Sequence, residues 1–138
     1  MATYSGELRL TTAGDGDTID LTEGVGRIVA QSGARDGAVT VFVPGSTAAI
    51  TTMEFERGGV HDLKAALDRL IPPEGDYEHN RLNHDSNSHA HMRAAIVGPS
   101  ETFPVREGRP RLGTWQQIVL LDFDDSPRER TVVVTVAW

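Results

Sequence analysis

Cysteine is absent from the chain. No disulfide can staple the fold and no thiolate can hold a metal, so any metal site has to be built from His, Asp, Glu or Asn. No apolar run reaches the length that spans a bilayer, and the N-terminal residues lack the basic-then-apolar order of a secretory signal. Positive charge is scarce: 13 Lys and Arg against 20 Asp and Glu leave a net charge of -7, which argues against a general nucleic-acid or anionic-membrane surface. No repeat, linker or low-complexity tract divides the chain. Together these absences lead to the expectation of a single soluble, cytoplasmic domain with neither nucleic acid nor membrane as partner.

The residues that are present read as an α+β fold. Thr3 to Thr11 alternates apolar with polar positions and predicts a strand, and Ala13 to Asp17 a turn. Leu21, Val25, Ile28 and Val29 fall at helical spacing, with Gly33 placed to end the helix; Gly24 and Gly26 inside it speak against it. Val39 to Val43 and Thr47 to Glu56 predict two strands joined at Pro44-Gly45 as a hairpin. Val60, Leu63, Leu67, Leu70 and Ile71 predict an amphipathic helix that Pro72-Pro73 stops. Ala94 to Val97 fits helix or strand, and Glu101 to Val105, Trp115 to Phe123 and Arg130 to Trp138 complete the strands. Two main helices on predominantly antiparallel or mixed sheets is the expected architecture.

Candidate chemistry concentrates between Asp76 and His91, which holds four of the five histidines. Asp85, Asn87, His89 and His91 occupy alternate positions, and in an extended chain they share one face. His79 can supply a further nitrogen. Imidazole with carboxylate is a set that zinc accepts, and three histidines with an open fourth position is the catalytic pattern. A solvated histidine-rich loop is the competing reading. Gly45 to Ala49 offers small residues and the Ser46 and Thr47 hydroxyls to an anion, or is an ordinary turn. Glu54 is a candidate proton-transfer carboxylate, against a plain solvent-facing one. Arg106, Arg109 and Arg111 form a basic cluster able to hold phosphate, or a charged turn. Trp115 either walls a pocket or belongs to the core.

Pro-Gly-Ser-Thr-Ala-Ala-Ile-Thr (44–51), Tyr-Glu-His (77–79), Asn-Ser-His-Ala-His (87–91), Val-Gly-Pro-Ser (97–100), Leu-Gly-Thr-Trp-Gln (112–116) and the terminal Arg-x-Arg-Thr-Val-Val-Val, in that order, resemble the YjbQ-like family, also called the secondary thiamine-phosphate synthase family. The resemblance covers nearly the whole chain. It implies an α+β homotrimer with a site of histidines and an acidic residue near subunit contacts, able to hold a metal ion; neutral imidazoles with one carboxylate suit divalent zinc first, with iron, nickel and cobalt as alternatives. It also implies a weak activity joining a thiazole phosphate to a pyrimidine pyrophosphate; the alternative is a trimeric module that binds metal or anion without turnover. His79 and His91 match family histidines, and Glu54 matches a family glutamate. Where many members carry a histidine, this chain has Gly45, and His89 is the extra one. The expectation is therefore a metal on His79, His89 and His91, with Asp85 and Asn87 supporting it. Arg93 and Arg109 would join Ser46 and Thr47 in holding the charge of a phosphorylated small molecule.

Overall fold

β-Branched and apolar runs bounded by turn residues become eight strands, interleaved with four helices, in the computed structural model, which describes residues 1–138. The order is β1 (Thr3–Thr12), β2 (Asp17–Asp20), α1 (Thr22–Ser32), β3 (Gly37–Phe42), β4 (Ala48–Met53), α2 (Arg57–Leu70), α3 (Glu78–Asn83), α4 (Ser88–Val97), β5 (Ser100–Arg106), β6 (Arg109–Pro110), β7 (Gln117–Asp122) and β8 (Arg128–Ala137). Sheet A runs β1-β8-β3-β5-β6 and sheet B runs β2-β7-β4. Every pairing is antiparallel. The α+β class is as expected, with four helices in place of two. No helix is long and apolar enough to cross a membrane.

The two sheets enclose the main core. Val39, Val41, Val132, Val134, Val136, Phe103 and Val105 face it from sheet A; Ile118, Leu120, Ala48 and Ile50 face it from sheet B; Val25, Ile28 and Val29 of α1 fill one side. Sheet B is buried on its other face too. There Ala49, Val119 and Leu121 meet Ala90 and Ala94 of α4, with Leu63 and Leu67 of α2 packed alongside. Burial on both faces is why β7 reads as the unbroken apolar run Ile118 to Leu121, whereas β1 alternates.

Several local expectations change. β3 and β4 form no hairpin. Both edges of β3 are occupied, by β5 and β8, so residues 44–47 carry the chain across to β7 in the other sheet. Ala94 to Val97 is the last turn of α4, and β2 is a strand the pattern did not announce. Trp115 lies before β7 and is 73% exposed, so it is not core. α2 begins at a capping carboxylate: Glu56 accepts the N–H groups of Gly58, at 2.8 Å, and Gly59. Gly24 is in α1 because the helix lies close on β1: a Cβ there would stand 3.0 Å from both Leu8 methyl carbons. Gly33, at φ 77°, closes the same helix, as its position predicts.

Candidate functional site

The histidine segment is helix, turn, helix, not an extended chain. His84, at φ 51°, ends α3, and α4 starts after Asn87. Asparagine, aspartate and serine side chains compete with the backbone for hydrogen bonds and so favour turns over strand pairing. Here the Asn80 carboxamide accepts the Ser88 N–H at 3.1 Å, Asp85 accepts the Ser86 N–H at 2.8 Å, and the Asn87 carbonyl accepts from Ala90 and His91. On a helix, residues two apart are turned by roughly 200°. His89 and His91 therefore do not share a face, and the alternation from Asp85 to His91 does not make a site.

The structure instead brings His79 of α3 to His91 of α4. Their ring centroids lie 4.7 Å apart in an edge-to-face arrangement. Asp85 Oδ2 is 3.7 Å from His79 Nε2. With its amide nitrogen turned toward them, Asn87 donates to both Asp85 oxygens and to His79 Nε2, each at 3.2 Å. Asp85 and Asn87 thus contact one of the two rings. No three or more His, Asp or Glu side chains of the chain converge in a metal-holding group.

His89 stands apart. It is 3% exposed, and its Nδ1 is buried without a partner. Burial lowers its pKa and the nearby Arg93 charge lowers it further; Asp125, Asp15 and Asp124 pull the other way without prevailing. It is a neutral ring packed into the fold, and as a third ligand beside His79 and His91 it is displaced.

The expected anion-binding residues divide. Arg93 is buried and donates from Nη2 to Asp68 Oδ1 at 3.0 Å and to the Ile71 carbonyl at 2.7 Å, tying α4 to the end of α2. Its guanidinium is a structural clamp with an unpartnered Nε. The clamp and Lys64 hold the Asp68 carboxyl below its usual range, although desolvation opposes them. Thr47 is also committed: its hydroxyl donates to Asp124 at 3.0 Å and accepts from Arg130 at 2.8 Å. Ser46 and Arg109 are exposed and carry no side-chain hydrogen bond or ion pair within the chain. Glu54 is exposed just after β4, with its carboxylate equally free, and nothing in the chain joins it to the histidines.

A buried ionic cluster was missed. Arg130 grips Asp122 through Nε at 2.8 Å and Nη2 at 2.9 Å, Thr12 donates to Asp122 at 2.6 Å, and Arg128 meets Asp124 at 2.9 Å. Asp122 and Asp124 are essentially inaccessible. Desolvation raises their pKa values, but the hydrogen bonds outweigh it, from Arg130 and Thr12 on Asp122 and from Thr47 on Asp124, and both carboxyls lie below the usual range. The one available signal was Asp122-Phe-Asp-Asp125 at the end of an apolar strand, where a charge ends a buried run.

This fold has solved counterparts. The family described as UPF0047 protein YjbQ-like matches residues 6–137. The chain belongs to the UPF0047 family. Among its UPF0047 relatives, a protein of Archaeoglobus fulgidus is 43% identical over 128 residues, covering 93% of this chain and 97% of that one. One of Methanothermobacter thermautotrophicus is 38% identical over 137 residues, covering 99% and 94%. The crystal structure of a YbjQ-like protein of unknown function from Sulfolobus solfataricus P2 superposes with a TM-score of 0.93 at 36% identity, covering 98% of this chain and 96% of that one. A hypothetical protein from Aeropyrum pernix K1 gives 0.90 at 34%, covering 97% and 98%. This UPF0047 chain shares its overall fold with these structures.

Proposed function

We infer that the α3–α4 corner holds a divalent metal ion, zinc before iron, nickel or cobalt, and acts there on a phosphorylated small molecule. The observation that carries this reading is the meeting of His79 and His91 from separate helices, with centroids 4.7 Å apart, and with a carboxylate 3.7 Å from His79 Nε2. Two imidazoles and a carboxylate are the kind of donors such an ion accepts, and Asp85 would have to move toward both rings to serve as a third ligand. The ion would polarise a phosphoryl oxygen or stabilise a pyrophosphate leaving group. Weak thiamine-phosphate synthesis, implied by the family resemblance, is one reaction to assay.

A homotrimer is part of the same reading. Leu82 of α3 and Ile96 of α4 lie on the two histidine-bearing helices and are large, apolar and mostly exposed, as is Trp115 before β7, which supports subunit contacts that include this corner. Metal content of purified protein tests the site. His79→Ala and His91→Ala should each lower bound metal, whereas His89→Ala should retain it; equal metal in all four proteins would refute the assignment. Metal or phosphate binding with no product from any phosphorylated precursor would instead identify a binding module.

A further inference from the structure

Residues 44–47, which carry the chain from sheet A to sheet B, lie over a guanidinium with one nitrogen unpaired. Arg130 is 9% exposed. Its Nε and Nη2 are taken by Asp122 and Thr47, while Nη1 has no acceptor in the protein. A Cβ built on Gly45 would stand 3.0 Å from Nη1, so the missing side chain leaves the approach to that nitrogen open. Gly45, at φ 132°, and Ser46 are exposed. None of the backbone N–H groups of Gly45, Ser46 and Thr47 finds a backbone acceptor.

We propose that the Gly45–Thr47 turn and Arg130 form an oxyanion subsite that takes a phosphoryl group. Nη1 would donate from beneath, and the turn amides and Ser46 hydroxyl from the solvent side. A guanidinium matches phosphate oxygens in geometry and charge, and successive amides at a glycine turn make an anion-binding concavity. Arg130 is already held by two partners, so little side-chain freedom is lost on binding. The acidic neighbours do not oppose the ligand strongly, because Asp122 is paired with Arg130 and Asp124 with Arg128. With those charges balanced, affinity for a lone phosphate is expected on the order of millimolar.

The inference deepens the phosphorylated-substrate part of the proposed function and rests on it for the physiological ligand. Its test does not require the metal. Inorganic phosphate is titrated into chelator-treated protein at constant ionic strength, following the backbone amides of residues 45–47 and the Arg130 side chain by NMR. Saturable shifts of these signals are expected with phosphate and not with chloride. Ser46→Glu, on an exposed turn, places a carboxylate over Nη1 and should weaken phosphate at least about tenfold. Arg130→Lys keeps the charge but loses the fork and should abolish the shifts; if it does not fold, Ser46→Glu decides. Absence of saturable shifts, or unchanged affinity in Ser46→Glu, overturns the subsite. His79→Ala should bind phosphate normally, so loss of the metal reading alone leaves this result intact.

Discussion

At the scale of residues, the buried ion cluster and the buried histidine set how the protein responds to mutation and acid. Asp122 lies at the end of a strand where Ile118 and Leu120 face the core, and it meets Arg130 projecting from sheet A. Removing one partner of a buried pair leaves the other charge uncompensated, so Asp122→Ala should cost about 3–5 kcal/mol in chemical denaturation; a cost near that of a surface substitution would show the cluster to be incidental. Its lowered pKa means that the stabilisation is complete above the unfolded value of 3.8 and is lost as pH falls through the folded value. His89 acts at milder pH. Its folded pKa lies below 6.5, so the unfolded chain binds the proton first, and stability should decline as pH falls through 6.5. His89→Leu should remove that part of the slope between pH 7 and 5.5; an unchanged slope would assign the effect to other groups.

At the scale of elements, α1 and α2 show how packing decides where propensity is ambiguous. Gly24 and Gly26 both speak against a helix, yet α1 forms because Val25, Ile28 and Val29 bury a complete stripe. The two glycines differ in what surrounds them. Nothing lies within 4 Å of a Cβ at Gly26, whereas one at Gly24 meets Leu8 at 3.0 Å. Gly26→Ala should therefore raise stability by about 0.5–1 kcal/mol, and Gly24→Ala should show little or none of that gain; thermal melts of both variants check the contrast. α2 carries the spacing expected of its sequence, but Leu70 at its end is exposed, because sheet B offers apolar surface only under Leu63 and Leu67. The α3–α4 corner was the least legible element. His-x-His suggests convergence only on a strand, and the turn-forming Asn80, Asp85 and Asn87 that redirect the chain look in sequence like additional ligands.

At the scale of the whole molecule, the outer face of sheet A is without a covering helix. Across four strands it presents rows such as Ser5, Thr135, Thr40 and Thr102, with Ser5 bonded to Thr135 at 2.8 Å and Thr40 to Thr102 at 3.0 Å. The large exposed apolar residues Leu82, Ile96 and Trp115 lie elsewhere. If they are subunit contacts, sedimentation should give three times the 15.0 kDa chain mass, and Trp115→Ser should shift the protein toward monomer; a wild-type monomer would remove the trimer from the proposal.

Composition and short-range pattern by themselves determined the chemistry available and most of the elements. Without cysteine, a metal must use nitrogen and oxygen donors; the β-branched runs at 39–43 and 131–136 become strands because such residues suit a pleated, half-buried surface wherever it lies. Only the tertiary structure decided partners. Thr47 meets Arg130 across 83 residues and Thr12 meets Asp122 across 110, and His79 finds His91 while His89 is turned into the fold. Periodicity and propensity act over a few residues, whereas these pairings follow from which faces the two sheets and four helices can bury together.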